Sequence, residues 1–279
     1  MATDLRGARV LLTGASGGLG QVLARRLAGE GCELILTGRR GELLEALAAE
    51  NGARALPADL AERGEVERLL AQAGELDVLI ANAALPGSGR LSALQETDVD
   101  RALEVNLRAP IALAHRLVPA MLARGGGHLV FIGSLAGKAP SGGASVYSAT
   151  KAGLRAFALG LRSELAGSGV GVSLISPGFI AGAGMFDDTA IKLPRGMSTV
   201  SAAAVSDAVV RAIVRNRGEI DVAALPMRLG ADVANLAPAT AARVGRLIGA
   251  EALALEFERR QADKRQRDVA AAKPTDTTR

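Results

Sequence analysis

Short runs rich in Val, Ile and Leu recur along the chain, separated by longer stretches whose apolar residues return every three or four positions. The short runs predict buried strands at residues 9–13, 33–37, 54–57, 78–81, 128–133 and 171–175, with a further strand at 220–223. The longer stretches predict amphipathic helices at 19–30, 42–50, 65–72, 97–124 and 149–165. A strand followed by a helix, repeated, predicts an α/β fold built on a doubly wound parallel sheet. Ligands of such sheets bind beyond the carboxyl ends of the strands, so chemistry is to be sought there.

Residues 179–201 break the alternation. The stretch is long, Gly-rich and irregular, and it reads as a binding loop rather than a linker. It carries Met185, Phe186, Ile191, Leu193 and Met197 among Asp187, Asp188, Lys192 and Arg195. Those apolar side chains would either line a pocket for a hydrophobic substrate or simply pack the loop. Residues 226–258 predict a C-terminal helical extension, in which Leu253, Leu255 and Phe257 would face the chain's own core, a subunit or a membrane surface. The last stretch, 259–279, is charged and then rich in Ala and Thr, and is expected to fray.

With 279 residues the chain suits one large domain, and 49% hydrophobic against 22% charged residues is ordinary for a soluble protein. The single Cys32 excludes an internal disulfide framework and reads as packing. A strand is reached almost at once, with no basic-then-apolar leader, and no apolar stretch is long enough to span a bilayer. A cytoplasmic location without membrane insertion is therefore expected. The net charge of +4 is small and dispersed, and with no Trp and five Phe there is no evident platform for stacking bases. Nucleic acid is not an expected partner. His115 and His128 have no partners at metal-ligand spacing and read as structural, so no metal site is predicted.

The first strand ends in Thr13-Gly14-Ala15-Ser16-Gly17-Gly18-Leu19-Gly20, which opens straight into a helix. Glycines permit a tight turn there and let backbone N–H groups approach a pyrophosphate, which the helix N-terminus stabilises electrostatically. A tight strand-to-helix turn is the plainer reading of the glycines alone, but their placement after the first strand of an alternating α/β chain favours a dinucleotide. At the end of the second strand stand Gly38-Arg39-Arg40, where an NAD site would carry a carboxylate for the ribose. Two guanidiniums suit a 2′-phosphate, so NADP(H) is expected in preference to NAD(H). Two solvated arginines at a strand end are the plainer alternative.

The lone tyrosine of the chain lies in Tyr147-Ser148-Ala149-Thr150-Lys151. On a helix, residues four apart share a face, so the lysine ammonium would sit beside the phenol and lower its pKa from about 10. Such a phenol could pass a proton to or from an alcohol or ketone oxygen. Taken alone, the pair is better read as one that composition places on many surface helices.

Taken in order, these residues resemble the short-chain dehydrogenase/reductase family, in its shorter, non-extended branch, over about residues 7–225. Thr13–Gly20 matches its glycine motif, with Gly14, Ser16, Gly18, Leu19 and Gly20 at the cofactor. Asp59-Leu60 matches the acidic position that meets the adenine ring, and Asn82-Ala83 lies in a segment like the family's N-N-A-G. Asn106 falls at a helical asparagine, Ser134 ends the fifth strand, and Pro177-Gly178 follows the sixth. The resemblance implies a Rossmann-type catalytic and dinucleotide-binding domain over 1–225. It further implies that Tyr147 is the acid/base, that Ser134 bonds the substrate oxygen, and that Lys151 holds ribose and tunes the phenol. Asn106 would anchor a proton-relaying water, and the assembly would be a homodimer or homotetramer.

Departures from the pattern are the alanines Ala81 and Ala84, and a missing Thr after Pro177-Gly178, where Ile180 would offer backbone contacts instead. The expected reaction is hydride transfer between NADP(H) and a ketone or secondary alcohol, such as a hydrophobic ketone or a 3-oxoacyl group. An alcohol dehydrogenase working oxidatively and a non-catalytic dinucleotide sensor are the alternatives.

Overall fold

The computed structural model describes residues 3–183, 193, 197–247, 255–256 and 259–260. Nine strands are present among these: β1 (Arg9–Thr13), β2 (Glu33–Thr37), β3 (Arg54–Ala55), β4 (Val78–Ala81), β5 (Gly127–Ile132), β6 (Val170–Pro177), β7 (Phe179–Ala181), β8 (Thr199–Ser201) and β9 (Glu219–Val222). Seven form one parallel sheet in the order β3-β2-β1-β4-β5-β6-β9. The chain reverses its direction of travel between β1 and β4, and the crevice at that switch point is where such sheets bind ligands.

The helices are α1 (Gly18–Ala28), α2 (Gly41–Asn51), α3 (Arg63–Ala73), α4 (Glu96–Leu103), α5 (Ala109–Arg124), α6 (Ser145–Glu164), α7 (Ala202–Arg215), α8 (Leu225–Leu236) and α9 (Pro238–Leu247). Strand side chains alternate between the two faces, and this splits the core in two. Val10 and Leu12 pack with Leu23, Leu44 and Val209, from α1, α2 and α7. Leu11 points the other way, to Leu69, Leu113 and Leu154 of α3, α5 and α6. Each such fully buried leucine contributes roughly 2 kcal/mol. Phe131 of β5 meets Phe157 of α6 edge-on, with ring centroids 5.6 Å apart.

Four features differ from the sequence expectations. The third strand stops at Ala55, although Leu56 and Ala58 still donate to the Leu36 and Gly38 carbonyls at 2.9 and 3.2 Å, which leaves Pro57 facing the open edge where no N–H is needed. The helical stretch expected at 97–124 is interrupted by a π-helical turn, Glu104–Arg108, between α4 and α5. The ends of the irregular 179–201 segment pair with each other, β7 running parallel to β8. Helix α7 was not among the expected helices, although Ser201 caps it by accepting the Ala204 N–H at 3.1 Å. Met185, Phe186, Asp187, Asp188, Ile191, Lys192, Arg195, Leu253 and Phe257 lie outside the described residues, whereas Leu193, Met197 and Leu255 are half-buried.

His115 is exposed on α5. His128 is fully buried, with Nε2 2.8 Å from the Ser173 hydroxyl, and burial holds its pKa down to about 4. Cys32 packs against the first core, and burial pushes its thiol up to about 11. Among the described residues no helix is long and apolar enough to cross a membrane, and no group of His, Cys, Asp and Glu is placed to hold a metal.

Candidate active site

The turn after β1 is built from backbone approaching backbone. Gly14 has φ +65°, and a Cβ there would lie 2.7 Å from the Ala83 Cα. A Cβ on Gly20 would stand 2.2 Å from the Gly14 carbonyl oxygen. Only glycine satisfies both positions. Asn82 fastens this turn to the end of β4: its Nδ2 donates to the Thr13 and Gly14 carbonyls at 3.0 and 3.2 Å. The buried Thr13 hydroxyl returns the tie, accepting the N–H groups of Asn82 and Ala83, both at 3.0 Å. The Asn82-Ala83 segment therefore holds its place despite the flanking alanines, with no left-handed residue required there.

Helix α1 opens at Gly18 with Gly17 as its cap, no capping side chain and no acidic residue in its first turn. Its N-terminal backbone groups thus meet an anion without competition, which fits a pyrophosphate. Leu19 anchors the turn in the first core, and Ser16 is buried beside Gly38, where a Cβ would come within 2.7 Å of the Ser16 hydroxyl.

Arg39 and Arg40 are both exposed at the end of β2, and the Arg40 guanidinium donates to the Ser16 carbonyl. Across from them Asp59 accepts the Ala61 N–H at 3.1 Å and an Arg101 N–H at 2.9 Å. Burial alone would raise the Asp59 pKa; the Ala61 N–H, Arg101 and the charge of Arg39 together hold it below the usual carboxylate value. Leu60 beside it is buried in the second core.

The catalytic candidates converge on α6. Asn106 sits within the π-helical turn, fully buried. Its Oδ1 accepts the Leu85 N–H at 2.6 Å and its Nδ2 donates to the Leu85 carbonyl at 2.9 Å. It also reaches the Thr150 hydroxyl at 3.3 Å, which itself donates to the Tyr147 carbonyl at 2.7 Å. The extra residue of a π turn re-aims a side chain that a continuous α-helix would direct elsewhere. Here that side chain clamps the segment after β4 to the base of the Tyr147 helix.

Ser134 follows β5 and begins a 3₁₀ turn, Leu135–Gly137. Its hydroxyl accepts the Ala136 N–H at 3.2 Å and favours the phenolate form of the neighbouring Tyr147. Lys151 is almost wholly buried; its Nζ donates to the Ile132 carbonyl at 2.8 Å and lies 5.8 Å from the centre of the Tyr147 ring. The expectation that lysine lowers the phenol pKa is corrected here. Tyr147 keeps some exposed surface, but its dense surroundings disfavour the phenolate and raise its pKa, against a smaller opposing effect of Ser134. Burial instead acts on the lysine, bringing it down to about 8. Both groups are therefore protonated at neutral pH, the state a proton donor needs.

Pro177 ends β6, and Gly178 donates its N–H to the Val222 carbonyl at 3.0 Å. Ile180 lies half-buried in β7. Sequence reasoning passed over three residues that hold the site together: Thr13, Leu85 and Thr150. Leu85 acts through its backbone and carried no signal. Thr13 and Thr150 stood inside motifs already noted, and a hydroxyl next to a motif residue was the available cue.

The arrangement has counterparts among known proteins. The family model for short chain dehydrogenase matches residues 8–192. The ketoacyl reductase HetN of Nostoc sp. (strain PCC 7120) is 34% identical over 280 residues, covering 95% of this chain and 96% of that one. The NADP-dependent 3-hydroxy acid dehydrogenase YdfG of Salmonella typhi is 39% identical over 180 residues, 62% of this chain and 73% of that one. Among solved structures, a short-chain dehydrogenase from Sphingobium yanoikuyae in complex with NADPH superposes with a TM-score of 0.70 at 31% identity, over 77% of this chain and 87% of that one. The Rossmann-like sheet, the glycine turn and these relatives agree, and the chain belongs to the short-chain dehydrogenase/reductase family of oxidoreductases.

Proposed function

We propose that this enzyme is an NADPH-dependent reductase of hydrophobic ketones or 3-oxoacyl groups, with Tyr147 as the proton donor. The observation that carries the reading is the meeting of Ser134, Tyr147 and Lys151 two strands away from the glycine turn, with β4 between, and with phenol and ammonium both protonated. The names of HetN, a ketoacyl reductase, and YdfG, a 3-hydroxy acid dehydrogenase, support a carbonyl set one carbon away from an acyl or carboxyl carbon. Arg39 and Arg40, with no carboxylate at the end of β2, support the 2′-phosphate.

The bound nicotinamide nucleotide supplies the hydride. Gly14 and Gly20 let the turn close, and the backbone N–H groups at Gly18 and the start of α1 would hold its pyrophosphate. Ser134 orients the substrate oxygen by hydrogen bonding, and Tyr147 gives that oxygen a proton as negative charge develops on it. Lys151, one helical turn on, carries the ammonium through which the spent phenolate would be reprotonated after each turnover. Asn106 keeps the segment after β4 and the Tyr147 helix in register.

The test is NADPH and NADH consumption with aliphatic, cyclic and acyl-thioester ketones, for the wild type and Tyr147→Phe. Turnover with NADPH should exceed that with NADH. The variant should bind NADPH as the wild type does while losing turnover by roughly a thousandfold or more. Unchanged turnover in the variant sinks the assignment.

A further inference from the structure

Beside the site lies a buried charge cluster that the mechanism above does not use. Lys138 closes the 3₁₀ turn begun by Ser134, and only 6% of its side chain is exposed. Its Nζ lies 2.7 Å from Asp221 and 3.3 Å from Glu219, both of β9, and 3.4 Å from Asp232 of α8. Glu219 is shared with Arg155 of α6, at 2.8 and 3.2 Å. Burial pulls the lysine pKa down, but Asp221 and Glu219 outweigh it and hold it above its usual value. Burying an ammonium among carboxylates costs several kcal/mol before the ion pairs offset it, and a surface lysine would do as well for solubility.

We propose that Lys138 is a positioning residue for the Ser134–Tyr147 pair, locking the turn that carries Ser134 to the helix that carries Tyr147. This rests on the reading of those two residues as the acid/base site. The connection runs from Ser134 through the 3₁₀ turn to Lys138, then through Glu219 to Arg155, two helical turns past Tyr147 on α6. A second contact fixes the same turn from its other side. At Gly137 a Cβ would lie 2.8 Å from the Lys151 carbonyl oxygen, so the turn rests directly on the α6 backbone. Steric contact at Gly137 and ion pairing at Lys138 together set the height of the Ser134 hydroxyl against the phenol. Through Asp232 the same lysine fastens α8, whose Met227 Cε lies 3.4 Å from where a Gly178 Cβ would stand.

One chemical accident makes this testable without turnover. The chain has a single tyrosine and no tryptophan, so its near-ultraviolet tyrosine absorption and emission report Tyr147 alone. Lys138→Met should bind NADPH within about twofold of the wild type, and its kcat for ketone reduction should fall ~30-fold, the scale of a small misplacement. At neutral pH its tyrosine spectrum should shift in the same direction as that of Ser134→Ala. Lys138→Arg should recover most of both. Should Lys138→Met fail to fold, Lys138→Met/Asp221→Asn removes the unpaired carboxylate and leaves Glu219–Arg155 intact; it should show the same spectral shift. A folded Lys138→Met, or the double variant, with the wild-type tyrosine spectrum overturns the proposal. Absence of ketone reduction in the wild type would instead refute the assigned reaction, and the spectra would still decide the role of Lys138.

Discussion

At the glycine turn the tolerances are steric, whereas at the Ser134–Tyr147 corner they are set by buried polar groups. Gly14 and Gly20 leave no space for a methyl group, and the stationary parts there are main-chain atoms. At the corner the side chains of Asn106, Lys151 and Lys138 do the holding, each buried and each bonded to backbone or to carboxylate. The two regions share one edge of one sheet. They should therefore fail differently: the turn when atoms are added, the corner when they are taken away.

Adding one methyl is the sharpest way to break the first region. Gly14→Ala must place a side chain at φ +65° and against Ala83, costs of ~1–2 and ~1–3 kcal/mol respectively. NADPH affinity should fall by roughly a hundredfold or more by fluorescence titration, while the spectrum of Tyr147 stays as in the wild type. A disturbed tyrosine spectrum would show that the two regions are not separate.

Removal is the corresponding test of the second. Asn106→Ala leaves the Leu85 N–H and carbonyl without their partner, at about 1–3 kcal/mol for each group so stranded. A loss of ~2 kcal/mol corresponds to a melting temperature lower by roughly 5 °C. Turnover should fall with it, and NADPH affinity should change less than in Gly14→Ala. An equal loss of affinity would merge the two regions into one.

The smallest effect is a dependence on pH. Lys151 carries its proton below about 8 and loses it above, because burial disfavours the ammonium. In the reductive direction kcat/KM should be level at neutral pH and decline as pH rises through about 8. The NADPH-binding turn has no such buried cation, so binding measured over the same range should vary less steeply. A rate that stays level to pH 10 would remove Lys151 from the proton economy of the site.

The alternation of short apolar runs with amphipathic stretches gave the sheet almost residue for residue, since strands buried on both faces leave a continuous apolar run that needs no tertiary information. Where expectation and structure part, the cause is physical. The π-helical turn at Glu104–Arg108 shifts the ladder by one residue without changing the polar and apolar pattern, so 97–124 reads as one helix. The small β7–β8 pair is too short to show any period.

The site divides in the same way. Gly14, Tyr147 and Lys151 could be proposed from local spacing along the chain, whereas Ser134 was proposed only through the family resemblance. The direction of the Tyr147 pKa was not legible, since it depends on how much protein surrounds the phenol, and the nearest cation turned out to bond the Ile132 carbonyl. Lys138 was invisible for a similar reason: nothing in the sequence sets it apart from the chain's surface cations. Sequence by itself determined the family, the order of the strands along the chain and the residue types at the carboxyl edge, all of which follow from local patterns. Tertiary structure alone decided which charges are buried together, because burial is a property of three-dimensional neighbours and its electrostatic consequences have no local signature.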